Sequence, residues 1–317
     1  NQLSDKYNSP KKYRRDAFIH VLMGLIYQAN HEYNDAFIAY RNAVEIYQED
    51  YQKLFGLEVP LQLKKDLLYT AYKTGFDDQV TYYKNQFQLA YNPEEEIESG
   101  DVICLWNNGL GPIKDEWGLN FILVRGAGGV ISFVNEELGL VFPFPISSDR
   151  DANQDLADLH LLRVAFPKYI ERPLLYEKAT IQVHGATYNL ELVEDINAIS
   201  FKVLVERMIW EFSKSLLRVA LKKIAEHQLR KQNEILGTIL GVVNFATERA
   251  DTRNWQTIPH SIYYTRIKLP EGNHQLNFQA YSTKKPYVHQ TQTLSFQIDT
   301  KQTIFYPIHT IDYSVDI

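Results

Sequence analysis

The sequence predicts an α+β protein. Paired helices come first, then a mostly antiparallel β domain that carries a long helix and ends in a small C-terminal β-sheet. Three observations predict this. Apolar residues recur at three- and four-residue spacing through the first ninety positions. From Gly100 to Glu194, strand-like runs follow one another without helices between them, which favours antiparallel pairing. A helical period then returns and gives way to alternation near the C-terminus. The expected domains are a helical one over 1–92 and an α+β one over 98–317. The second is β-rich over 98–196, helical over 198–250 and strand-forming over 258–313.

A chain of 317 residues has room for two or three domains. Hydrophobic residues make up 45% of it, enough for an ordinary core. The net charge of -6 argues against a dedicated nucleic-acid binder, which carries a basic excess. The lone cysteine, Cys104, lies in the apolar run "DVICLW" and reads as a small buried hydrophobe. The chain starts at Asn1 with no signal-like segment, so any signal peptide or lipid anchor would lie upstream.

In the first helical pair, Phe18, Leu22, Leu25 and Ile26 form one stripe, and Ala36, Tyr40, Ala43 and Val44 form another. "QANHEYND" is the turn between them. Gly24, Ala36 and Ala43 put small residues where paired helices press closest. This spacing resembles a tetratricopeptide (TPR) repeat. Gly24 and Tyr27 match its first helix, and Ala36, Tyr40 and Ala43 match its second. The proline expected after the second helix is missing, and His20 stands where an aromatic is usual. "LKKDLLYTAYKTGFDDQVTYYKNQF" gives a second, degenerate unit, with Gln79 and Gln86 at positions for small residues. The resemblance implies TPR-like hairpins that bind protein partners, with Tyr27, Tyr33, Tyr40 and Tyr72 as candidate contact residues.

"YNPEEEIESGD" closes the helical part, and its glutamates read as a solvated linker or a helix first turn. The strand candidates that follow are divided by "NNGLGP", "GAGG" and "HGAT". "HGATYNLELVED" reads as a hairpin, with Gly185 supplying a positive φ. Over 198–250, Phe201, Leu204, Val205, Met208, Phe212, Leu216 and Val219 share one side. A straight helix of that length would reach roughly 70 Å, so a break near "RKQNE" or Gly237 is expected. Four alternating runs complete the chain and suggest a small terminal sheet.

No catalytic motif stands out. The nine histidines show no H-E-x-x-H or H-x3-H spacing, and no metal site or cofactor is expected. There is no Gly-x-Ser-x-Gly elbow. "GAGGVIS" runs into a strand and reads as a hairpin turn rather than a phosphate loop. "ILGTILGVVNFA" over 235–246 is shorter than the roughly 20 residues a membrane span needs. It suits close helix packing or a shallow membrane contact.

Two polar stretches remain. "WNNGLGPIKDEW" reads first as a loop leaving a strand, with glycines where the chain turns, and second as an exposed recognition loop that presents Asn108 and Lys114. "ATERADTRNW" gathers Glu248, Arg249, Asp251 and Arg253 beside Trp255. These charges balance, which suits a clamp at a chain reversal more than a substrate site. Arg249 or Arg253 is expected to pair with Glu248, Asp251 or the 107–114 loop.

Together, "NNGLGPIK", "ATERADTRNWQTIP" and "YNDAFIAYRNAV" resemble a family of uncharacterised bacterial cell-envelope proteins. The resemblance runs in order along most of the chain, and its specific element is "ERADTR". It implies a signal or lipoprotein leader, TPR-like helices and a β-rich remainder. It further implies export to the periplasm or the periplasmic face of the outer membrane, and company with small lipoproteins linked to cell-wall synthesis. The family has a longer Gly/Ala-rich stretch before the signature than the 235–246 segment here, so residues around 230–245 depart from its pattern. No catalytic residues carry over. The leading expectation is a non-enzymatic scaffold that binds a protein partner through its helices, with membrane association through an upstream lipid anchor. The alternatives are a ligand receptor or enzyme with a pocket near 107–114 and 248–255, and a peripheral membrane protein using 235–246.

Overall fold

The computed structural model describes residues 15–95, 99–126, 130–137, 139–145, 161–207, 251–282 and 289–312. It is α+β, with helices first and sheets after. The helices before the first strand are α1 (Ala17–Ala29), α2 (Tyr33–Ile46), α3 (Gln52–Phe55), α4 (Leu61–Lys73) and α5 (Asp77–Phe87). A π-helical turn, Tyr47–Tyr51, joins α2 to α3. Among the described residues, twelve strands form three four-stranded sheets.

The first unit holds Asn1–Pro112, Glu171–Lys202 and Gln256–Ile317. One of its sheets has the order β12-β1-β9-β8, from β1 (Gly100–Asn108), β8 (Glu191–Asp195), β9 (Ser261–Leu269) and β12 (Thr303–Thr310). The other has the order β11-β10-β6-β7, from β6 (Lys178–Val183), β7 (Ala186–Asn189), β10 (Gly272–Tyr281) and β11 (His289–Ile298). Side chains alternate across a strand, and β1 and β9 are covered on both faces. Ile103, Ile262 and Tyr264 pack with the helices. Val102, Cys104, Trp106, Ile267 and Leu269 pack with the second sheet. The unit is therefore layered as helices, sheet, sheet. This explains why β1 is buried along nearly its whole length. Burial pushes the Cys104 thiol up to about 12, so it is the inert core cysteine the sequence suggests.

The helical part, expected as a domain over 1–92, shares this unit with strands from both ends of the β-region. The last four strands are expected to form a small sheet of their own, and they do not. β9 and β12 flank β1, with β12 parallel to it, while β10 and β11 extend the sheet of β6. Alternation identifies a strand but carries no information about its partner.

The β6–β7 hairpin forms as expected. His184 and Gly185 both have positive φ between the paired Val183 and Ala186, as a two-residue type I′ turn requires. In α1 the expected Phe18, Leu22 and Leu25 do pack into the helical core, Phe18 and Leu22 only partly buried, but the stripe is centred one residue away. The buried residues are Ala17, Val21, Gly24, Leu25 and Gln28, and Ile26 faces outward. The helix is apolar nearly all round, so spacing alone does not select its inner face. In α2 the expected Ala36, Tyr40, Ala43 and Val44 are all buried. Gly24 meets Tyr40, and a Cβ at Gly24 would fall within the tyrosine ring.

The second unit comprises Ile113–Ile170 and Val203–Trp255. Its sheet has the order β4-β3-β2-β5, from β2 (Ile113–Gly126), β3 (Val130–Asn135), β4 (Leu140–Pro145) and β5 (Leu161–Ile170), all antiparallel. Leu119, Phe121, Phe133, Phe142, Val164 and Phe166 form its core. Residues 196–207 are helical, at the start of the expected long helix. The rest of that helix, the 235–246 segment and the tip of "GAGG" lie outside the described residues.

Candidate functional site

Of the polar stretches singled out in the sequence, Lys114 lies with the 251–254 segment, whereas Asn108 is held apart from it. The 107–114 loop is shorter than expected. β1 runs through Asn108, β2 begins at Ile113, and only 109–112 lie between them. Asn108 is fully buried. Its amide donates to the Tyr176 carbonyl at 2.8 Å, and its Oδ1 accepts from Thr310 Oγ1 at 3.0 Å. Thr310 in turn accepts from the Trp106 indole N–H at 2.9 Å. Asn108 is thus a structural amide that satisfies buried partners, and it belongs to a different unit from Lys114.

Lys114 lies on β2. Its backbone N–H faces Asn254 Oδ1 at 3.4 Å, and its ammonium sits 6.0 Å from the Tyr169 ring centre. Arg253 pairs with Asp251 as expected, Nη2 to Oδ2 at 2.8 Å. The pair is local and solvated, with side chains 91% and 61% exposed, and Trp255 is 72% exposed. Such a pair contributes little as a clamp. The guanidinium hydrogen bonds hold the Asp251 carboxyl below the usual carboxylate range. Glu248 and Arg249 lie outside the described residues.

The side chain that ties the 109–112 turn in place is Arg172, which the sequence did not flag. Its guanidinium donates to the Gly111 carbonyl through Nε at 2.7 Å and again through Nη2, and to the Gln256 carbonyl at 2.7 Å. Gly111 N–H donates to the Ile258 carbonyl, and Ile258 leaves no room there for a Cβ. A single arginine in "ERPLL" gives no sequence signal for this role.

The helices join the β12-β1-β9-β8 sheet through buried polar chemistry. Arg266 on β9 donates to Asp66 Oδ1 of α4 at 2.9 Å, to Asp101 Oδ2 of β1 at 2.6 Å and to Gln28 Oε1 of α1 at 2.9 Å. Tyr40 donates to the same Gln28 oxygen at 3.0 Å. Tyr40 is therefore a core residue rather than a surface contact. The neighbouring carboxylates and Tyr40 hold Arg266 firmly protonated against the opposing effect of burial.

On β8, a register shift between Leu192 and Glu194 lets Glu194 turn to the helices, a common use of a bulge. Tyr51 Oη lies 3.1 and 3.0 Å from its two carboxyl oxygens, and Tyr47 donates to the Val193 carbonyl at 2.6 Å. Burial, with Asp16 nearby, pushes Glu194 up to about 8. Glu191 accepts from Gln62 N–H at 3.0 Å, at the start of α4, where Pro60 offers no side-chain cap.

Two surface features remain. The first is the outer face of α1 and α2. Ile19, Met23 and Ile26 fall on one line of α1 and are 53%, 39% and 53% exposed. Beside them lies a groove of about 520 Å³, lined by Arg15, Asp16, Ile19, His20, Glu45 and Ile46 among others. Arg15 pairs with Glu45, Glu49 and Asp50, so among the described residues carboxylates outnumber cations along this rim. Burial lowers the His20 imidazole below its ordinary value, Asp16 opposing and Arg15 adding to the effect.

The second is a cleft of about 50 Å³ where the helices meet the sheet. Lys73, Lys268, Lys301, Tyr33, Tyr69 and Ser99 help to line it. Tyr27 packs half-buried against the helical core, and Tyr72 is half-buried.

Among the described residues, no group of three or more His, Cys, Asp or Glu is placed to hold a metal, and no helix is long and apolar enough to cross a membrane. Comparison with protein-family models, curated proteins and solved structures finds no match to this chain.

Proposed function

We propose that this chain is a non-enzymatic protein-binding module. Its TPR-like hairpins dock a partner's amphipathic helix on the outer face of α1 and α2. The observation that carries this reading is the line Ile19, Met23, Ile26. It places three apolar side chains one turn apart at the surface beside a groove. Helix-in-groove recognition uses anchors at this i, i+4, i+7 spacing. The surplus of carboxylates from Asp16, Glu45, Glu49 and Asp50 around Arg15 favours a partner helix flanked by Lys or Arg. The sequence resemblance adds a setting: the bacterial envelope, at the periplasmic face of the outer membrane, with an upstream lipid anchor holding the chain to it.

The test is a pair of charge substitutions, Ile19→Glu and Ile26→Glu, made together. Burying either side chain is worth about 1–2 kcal/mol. The double variant should therefore lose partner binding by a factor of about 30 or more. Both positions are surface ones, so the thermal midpoint should hold. Unchanged binding by a variant that folds would remove the basis for this reading.

A further inference from the structure

We infer that the chain forms a two-fold dimer in which β11 pairs antiparallel with β11 of a second copy, a contact separate from the α1–α2 face. β11 runs along the edge of the β11-β10-β6-β7 sheet, and among the described residues no strand lies on its other side. An edge strand presents a row of unpaired backbone N–H and C=O groups, which templates further pairing unless something blocks it. The other five edges of the described sheets each carry a block. β4 has Pro143 and Pro145, β5 has Arg163, Pro167 and Lys168, and β12 has Pro307. Proline brings no N–H to a ladder. β8 is five residues long, carries Glu191, Glu194 and Asp195, and is irregular between Leu192 and Glu194. β7 is only four residues long.

β11 has none of these devices. Its ten residues, "HQTQTLSFQI", include no Asp, Glu, Lys, Arg, Pro or Gly. It pairs with β10 along its whole length without a bulge. The occupant follows from the same composition. In a two-fold antiparallel pair a strand meets itself in reverse, so a charged side chain would stand near its own copy. β11 brings no such charge and is complementary to itself. Leu294 and Ile298 are buried, so by alternation Thr291, Thr293 and Ser295 share the exposed face. A reversed copy centred on Thr293 sets Thr291 against Ser295 and Thr293 against Thr293, pairings that favour hydroxyls. A strand of another protein would be selected by charge, and β11 offers none to select with. The pair supplies roughly nine backbone hydrogen bonds, close to the number in an ordinary specific interface. It has no large buried anchor, so the dimer is weak. Growth stops at two copies because the far edge, β7, is too short to template another sheet.

Sedimentation equilibrium of the intact chain over a concentration series is the test. The expected result is a monomer–dimer equilibrium with a Kd of about 10–100 μM, little changed by added salt because the paired strands carry no Asp, Glu, Lys or Arg. Two double variants supply the decisive arm: Thr291→Lys with Ser295→Lys, and Thr291→Glu with Ser295→Glu. Both positions are exposed, so circular dichroism and the thermal midpoint should match the parent. Each double variant alone should dimerise at least about tenfold more weakly, because position 291 of one copy opposes position 295 of the other. Mixing the two should restore pairing as a heterodimer that added salt weakens. The assignment is overturned by a chain that stays monomeric at about 1 mM, by a dimer that neither double variant weakens, by a mixture that restores no pairing, or by assembly that continues past the dimer.

Discussion

Glu194 offers the sharpest test of how the helices are held to the sheet. Its carboxyl is buried against Tyr51, which also accepts the Ala17 N–H at 3.2 Å. Removal from water is the main cause that raises it from 4.5 to about 8, and Asp16 adds to this. Between these two values the folded protein binds a proton that the unfolded chain does not. Stability from this group is therefore fully present below 4.5 and is lost as pH rises through about 8. The gap corresponds to at most about 5 kcal/mol. Glu194→Gln keeps an acceptor for the Tyr51 hydroxyl and removes the ionisation. Equilibrium urea unfolding across this pH range should show wild-type stability falling relative to the variant as pH rises. At pH 8 the variant should be the more stable by about 1–3 kcal/mol, after the cost of a buried amide N–H. Parallel pH profiles for the two proteins would refute the reasoning.

Other predictions follow from the same interface. Asp66→Asn keeps an acceptor for Arg266 but removes one of its two buried negative charges, and urea unfolding should register a loss of about 3 kcal/mol. Gly24→Ala gains about 1 kcal/mol of helix propensity but drives a methyl into the Tyr40 ring, so the thermal midpoint should fall rather than rise. Asp251→Asn and Arg253→Gln act on a solvated pair, and neither should shift the thermal midpoint measurably. A clear loss from either would restore the clamp role to that pair.

Much of the architecture was legible because periodicity reports local structure. The turn at His184–Gly185, the inner face of α2 and the burial of Cys104 all followed from spacing or turn chemistry. Strand partnership was not legible. β9 and β12 settle on either side of β1, and nothing local to those runs encodes a partner more than about 150 residues away. The fused helix–sheet core was hidden for a related reason. It depends on Arg266, Asp66, Asp101 and Gln28, which sit far apart in sequence and look ordinary one at a time. The same limit explains the site residues. "ERADTR" is conspicuous because its charges are adjacent, yet its Asp251–Arg253 pair is solvated. Lys73, Lys268 and Lys301 are inconspicuous in sequence and converge only after folding. The α1 stripe was misassigned by one residue because the helix offers apolar side chains on every face.

Docking on the α1–α2 face is the central claim, and crosslinking from Met23 tests it most directly. A photoreactive residue at Met23, with a control at the exposed Tyr82, is activated in envelope extract and the adducts are mapped to peptides. The account predicts a discrete adduct from position 23 alone, mapping to an amphipathic helix with basic flanks and abolished by Ile19→Glu with Ile26→Glu. The account is contradicted if position 23 gives no adduct, gives the same adducts as Tyr82, or gives one that survives the double substitution.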